Sequence, residues 1–184
     1  MYHIYDIKTS ASADIVIKAA AKGLTMNTNS IVQNRPLQMG IKIPEKPGRF
    51  NLVNVNDIFK GTGIGGFMGG AGGTTMRVAN CDGAVWSSKA VREIPGSSNL
   101  TLYSCIYAYK SGYHLNMYAV FVKSSGGLSG ILGNATSAVI GTPEQWVNKT
   151  FIDTVSSVQE TTRSSMIHIE GQPELGETPA ISKL

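Results

Sequence analysis

Residues 99–123 read NLTLYSCIYAYKSGYHLNMYAVFVK, and this stretch decides the fold because it predicts a β-hairpin. Two runs rich in β-branched and aromatic residues flank Ser111-Gly112. Glycine readily adopts the positive φ that a two-residue hairpin turn requires, so the turn is predicted at this dipeptide. The cross-strand pairs that follow are Lys110–Tyr113, Ala108–Leu115, Ile106–Met117, Ser104–Ala119 and Leu102–Phe121.

This pairing divides the hairpin into two faces, because side chains alternate across a strand. One face is apolar except for Ser104 and is predicted to line the core. The other face is amphipathic. It is either covered by other parts of the domain, with hydroxyl groups reaching water, or it meets a ligand or partner. Its four tyrosines are Tyr103, Tyr107, Tyr109 and Tyr118.

Composition favours a single globular domain of an exported protein. The chain has 184 residues, of which 42% are hydrophobic and only 15% are charged, against about 25% charged in a typical domain. Glycine is abundant, at 21 residues. The net charge is +4, but the basic residues are scattered and form no cluster with aromatic residues, so we expect no nucleic-acid partner.

The two cysteines, Cys81 and Cys105, lie in or beside runs that predict strands. In an oxidising compartment we expect them to form a disulfide, although two reduced thiols are the alternative. The sequence contains no apolar run long enough to span a membrane as a helix, and no signal peptide.

Two helices are predicted, one near the start of the chain and one near its end. The first covers residues 13–22, with Ser12 as N-cap and Gly23 as C-cap. The second covers residues 143–159, opened by Thr142 in a capping box and by Pro143 at its first position. A weaker helical pattern occupies residues 128–139. Strands are predicted within residues 2–7, 30–43, 49–55, 74–91 and 166–169.

The glycine-rich segment GTGIGGFMGGAGG, residues 61–73, matches a dinucleotide-binding fingerprint by letter. The surrounding sequence does not fit a dinucleotide-binding site, because no apolar helix follows the segment and no βαβ unit surrounds it. We interpret the segment as a loop. The alternative is a loop that contacts a partner or membrane through its large apolar side chains, Ile64, Phe67 and Met68.

No motif predicts catalysis, a metal or a cofactor. His3, His114 and His168 lie far apart in sequence, without the spacing of metal ligands. A nucleophilic Cys105 assisted by His114 is conceivable because both lie on one hairpin face, but they are not cross-strand partners. We therefore expect no enzyme activity and no bound cofactor.

Short address motifs leave one alternative localisation open. The last three residues, Ser182-Lys183-Leu184, spell a peroxisomal targeting signal. Three sites match the N-glycosylation pattern, which matters only in a secreted eukaryotic protein: Asn99, Asn134 and Asn148.

The stretch YSCIYAYKSGYHLNMYAVFVKSSGG, with the helices predicted after it, resembles uncharacterised bacterial envelope lipoproteins. The resemblance covers about residues 81–159. It implies a periplasmic or outer-membrane-associated domain whose leader and membrane tether would lie outside these residues.

Together these observations predict an α+β domain over residues 1–160 and a polar, partly disordered tail over residues 161–184. An antiparallel sheet of five or six strands is expected to carry two or three helices on one face. The expected function is non-enzymatic interaction or scaffolding with an envelope protein. The alternative is a small-molecule or lipid-binding module with a cavity between sheet and helices.

Overall fold

The computed structural model describes residues 1–36, 42–54, 77–93, 99–120 and 143–173. These residues form eight strands and two helices. In chain order the elements are β1 (Tyr2–Ile7), α1 (Ala13–Thr25), β2 (Ser30–Asn34), β3 (Asn51–Asn54), β4 (Arg77–Asn80), β5 (Trp86–Arg92), β6 (Leu100–Tyr109), β7 (Gly112–Val120), α2 (Pro143–Thr162) and β8 (Met166–Gln172).

Six strands form one antiparallel sheet in the order β2-β5-β6-β7-β1-β8, and β3 pairs with β4 in a second, smaller sheet. Helices α1 and α2 pack on each other and on one face of the large sheet, here called the inner face. The opposite face, called the outer face, lies against part of the small sheet and the segment that leads into it. The predicted α+β class, strand number and helical layer are confirmed.

The predicted hairpin is present, but its turn lies one residue earlier than expected. Tyr109 pairs with Gly112, so the loop is Lys110-Ser111 and Ile106 faces Leu115 rather than Met117. The expected partner of Leu102, Phe121, lies outside the described residues; Leu102 pairs with Ala119.

Gly112 begins β7 instead of forming the turn because β1 approaches it closely. Its φ is +145°, and a Cβ atom there would lie 2.0 Å from the carbonyl oxygen of Ile7. The pairing moves by two residues, an even number, so every side chain keeps its predicted face. The inner residues Leu102, Ile106, Leu115 and Met117 are all buried.

Helix α1 begins after Ser12, as predicted, but continues past Gly23 to Thr25. Gly23 is therefore not a C-cap. A Cβ atom at this position would lie 2.4 Å from Cα of Thr154, so the glycine allows α1 and α2 to approach closely. Across the same contact the hydroxyl group of Ser157 donates a 2.8 Å hydrogen bond to the carbonyl of Ala19.

Helix α2 begins at Pro143 and buries its predicted apolar stripe, which consists of Val147, Phe151, Val155 and Val158. It ends at Thr162, and β8 then pairs antiparallel with β1. The domain boundary expected at residue 160 is therefore too early, because β8 belongs to the sheet. The capping residue Thr142, the helical pattern at residues 128–139 and the last eleven residues lie outside the described residues.

Candidate binding face of the sheet

Three tyrosines stand side by side on the outer face, in a row that crosses the strands. Tyr2 pairs with Tyr118, and Tyr118 pairs with Tyr103. We call these three residues the aromatic row. The rings of Tyr103 and Tyr118 are stacked, with centroids 6.4 Å apart, and all three residues are partly exposed. The same register continues to Lys89 on β5 and Val32 on β2.

One end of the aromatic row is covered by residues that precede β3. The buried ring of Phe50 meets Tyr2 edge-on at 5.8 Å and lies 5.9 Å from Tyr118. The guanidinium group of Arg49 lies 5.8 Å above the ring of Tyr2 and pairs with Glu170 of β8. These contacts hold Tyr2 in place, whereas the other end of the row, at Tyr103, borders an open cleft.

The other two tyrosines of the predicted face are buried. Tyr107 is 2% exposed and packs so closely on Gly48 that a Cβ atom there would lie 2.5 Å from its ring. Burial raises the pKa of Tyr107 to about 12, with a further contribution from the negative charge of Asp82. Tyr109 is also buried and donates a 2.5 Å hydrogen bond to Asp6. The four tyrosines thus divide into a covered pair and a partly exposed pair.

The predicted disulfide between Cys81 and Cys105 is present. It joins the residue that follows β4 to the outer face of β6, across a sequence separation of 24 residues. A bond that closes a loop of this length lowers the entropy of the unfolded chain and stabilises the fold by about 3–4 kcal/mol. It also removes Cys105 as a nucleophile, so the Cys105–His114 arrangement has no thiol to activate.

Beside the disulfide lies an open cleft of about 280 Å³, between the end of β4 and strands β2, β5 and β6. Lys89 is the one charged residue among its described lining residues and forms no ion pair with any residue that the structure describes. Burial raises the pKa of Tyr103, which lies at the junction of cleft and aromatic row. The other described lining residues are neutral and include Val32, Asn34, Asn80 and Ser87.

A network of polar side chains surrounds Asp6 on the outer face, near the hairpin turn. Asp6 accepts hydrogen bonds from Tyr109 and Lys8, and Nε2 of His114 lies 3.5 Å from its Oδ1 atom. Lys8 also contacts the hydroxyl group of Tyr109. Burial lowers the pKa of His114, and the charge of Asp6 partly offsets that effect. Lys8 balances the charge of Asp6. The contacts of Asp6 with Tyr109 and His114 join β1 to the hairpin.

The sheet brings together two histidines that lie far apart in the sequence. Nδ1 of His3 lies 3.1 Å from Nε2 of His168, on the inner face below Phe151. Burial lowers the pKa of His3 to about 4, with help from His168 and the N-terminal amine. The signal that would have revealed this pair is the pairing of β1 with β8, which joins residues 165 positions apart.

The described residues contain no group of three or more side chains that could together hold a metal ion. Ile64, Phe67 and Met68, expected in a partner- or membrane-contacting loop, lie outside the described residues. Neither of the described helices is both long and apolar enough to cross a membrane. No family model, curated protein or solved structure shows a significant match to this chain.

Proposed function

We propose that this domain is a non-enzymatic binding module of the cell envelope, which engages a protein partner with the open end of its outer face. The observation that carries the proposal is the continuity of Tyr103 and Tyr118 with the cleft at Lys89 and Val32. Tyrosines, which offer a large apolar surface with a polar tip, are enriched where proteins meet.

The disulfide supports an exported location, because such bonds form and persist mainly in oxidising compartments. A periplasmic protein tethered to the envelope is consistent with it. The peroxisomal alternative depends on Ser182-Lys183-Leu184, outside the described residues.

A small molecule is the second candidate occupant, and the cleft is the observation that favours it. The space between sheet and helices is filled by buried side chains such as Trp86, Leu102 and Phe151, so a ligand cavity there is not what we propose. The cleft on the outer face is open instead. Its volume of about 280 Å³ lies just below the range of about 300–1,000 Å³ that is typical of small-molecule sites.

A cross-linking experiment tests the protein-partner proposal. A photo-reactive phenylalanine analogue replaces Tyr103 in one variant and Ile15, exposed on α1 in the helical layer, in the control variant. In cells that export the domain, we expect a discrete protein adduct from position 103 and none from position 15. The purified partner should then bind the domain about tenfold more weakly after Tyr103→Ser, the loss typical of an interface anchor.

Two results would contradict the proposal. Identical adducts from both positions would show that the labelled protein meets the whole surface without preference. Unchanged affinity after Tyr103→Ser would show that the aromatic row contributes nothing to binding.

A further inference from the structure

The two edges of the six-stranded sheet differ in how they are protected against added strands. At one edge, β8 has a bulge in its pairing with β1, between Ile4 and Tyr5. Its residue Glu170 pairs with Arg49, and Pro173 follows the strand. Bulges, charges and prolines are the usual devices that prevent a further strand from pairing with a sheet edge.

At the other edge, such devices begin only after β2, at Arg35 and Pro36. The strand has the sequence Ser-Ile-Val-Gln-Asn, which contains no charged residue and no proline. It pairs with β5 in a continuous register over all five residues. Val32, at its centre, is 71% exposed on the outer face. An edge strand that pairs with no described residue on its free side is a template for an extended peptide.

We propose that β2 accepts an extended peptide segment of the partner as a seventh strand, and that this segment carries an acidic side chain directed toward Lys89. The inference rests on the proposed binding function of the outer face and names the chemistry of the partner. Backbone hydrogen bonds to β2 would supply affinity, and side chains directed toward the cleft would supply specificity.

The register of the sheet gives the position of the acidic residue. A peptide residue opposite Val32 points to the outer face and continues the cross-strand row through Lys89 to Tyr103. Strands lie about 4.8 Å apart, so Lys89 stands about 10 Å from the added strand. A lysine and a glutamate side chain extended toward each other cover that distance above the small side chain of Val32.

Charge favours such a peptide over a second copy of this chain. The described lining of the cleft contains one cation, Lys89, and no acidic residue. A second copy pairing through its own β2 would bring a neutral strand and a second Lys89, and neither complements the first. An acidic peptide neutralises Lys89 without introducing a like charge.

The test is a selection of random ten-residue peptides displayed on phage against the intact, disulfide-bonded domain. We expect enriched peptides with alternating β-branched residues and an acidic residue at a fixed position. Val32→Glu should weaken their binding by about tenfold or more, because it places a like charge directly opposite the acidic residue of the peptide. Lys89→Glu should reverse the preference from acidic to basic peptides. The matched control is Ile167→Glu on β8, also exposed, at 52%, which should leave binding unchanged.

Hydrogen exchange supplies a readout of the backbone. On peptide binding, the amides of residues 30–34 that point away from β5 should become protected, while those of β8 do not change. If these outward amides are already protected in the free domain, or if the domain dimerises through β2, the edge has another occupant and the inference is overturned. Failure to enrich peptides overturns it as well. A Tyr103 cross-link that persists in any of these cases leaves the proposed function standing.

Discussion

The inner and outer faces of the six-stranded sheet are formed by alternate residues of the same strands, but they differ in what covers them. The inner face packs under α1 and α2 in one continuous apolar core. The outer face has a smaller apolar cluster around Phe50, Cys105 and Tyr107. The disulfide links this face, at Cys105, to the end of β4 in the small sheet. The larger apolar core therefore lies on the inner face, while Tyr103 and Tyr118 on the outer face stay partly exposed.

The largest expected effect comes from neighbouring residues on opposite faces of β6. Leu102 is fully buried on the inner face, whereas Tyr103 is partly exposed on the outer face. Leu102→Ala removes buried atoms and leaves a cavity, so we expect it to lower the free energy of unfolding by about 3–4 kcal/mol. Tyr103→Ala should lower it by less than about 1.5 kcal/mol. If urea titrations showed equal losses of unfolding free energy for the two variants, the inner face would not be the more important face for stability.

The next effect concerns the disulfide, which supports the outer face. Replacing both Cys81 and Cys105 by alanine should lower the free energy of unfolding by about 3 kcal/mol, because the unfolded chain regains loop entropy. Hydrogen exchange should accelerate first in β3 and β4, whose attachment to β6 depends on the bond. The matched control is the Cys81→Ala, Cys105→Ala protein compared with wild type under reducing conditions, where their stabilities should converge. Faster exchange confined to α1 or α2 would contradict this assignment.

A pH-dependent effect of similar or smaller size comes from the histidine pair on the inner face. The pKa of His3 is about 4 in the folded protein, against about 6.5 when unfolded. The unfolded chain thus takes up a proton first, so stability should decrease as the pH falls from about 6.5 to about 4. The groups that face His3 are His168, the N-terminal amine and Tyr5. The expected loss is about 2–3 kcal/mol.

Denaturant titrations across this pH range test that slope. His3→Gln should flatten it, because the substituted side chain does not titrate. His114→Gln, on the outer face, should preserve most of it. A slope unchanged by His3→Gln would show that other titrating groups, such as His168, account for the acid sensitivity.

The sequence was sufficient for the features that depend on local pattern. Alternation in residues 100–120 predicted which side chains face the core, and this result survived the incorrect turn because the pairing moved by an even number of residues. The stripe of α2 was predicted from its helical spacing, and the cysteine pairing was expected from the spacing of the two cysteines and the export-like composition.

Features that depend on tertiary approach were not predictable. Gly23 and Gly112 resemble a helix cap and a turn residue, but each is required where another backbone lies too close for a side chain. The His3–His168 pair and the cleft arise only when strands distant in sequence become neighbours.

The smallest effect separates two tyrosines of the outer face that lie on the same strand. Tyr109→Phe removes a hydrogen bond to the buried carboxylate of Asp6, and hydrogen bonds to charged groups contribute about 1.5–3 kcal/mol. Lys8 continues to compensate Asp6, so we expect a loss near the lower value. Tyr103→Phe is the matched control, because its hydroxyl group bonds to no residue that the structure describes; its effect should stay within about 0.5 kcal/mol. Similar losses in urea titrations would mean that the hydroxyl group of Tyr103 also contributes to stability. The open end of the outer face would then be part of the structural framework, and the case for a binding role of Tyr103 would weaken accordingly.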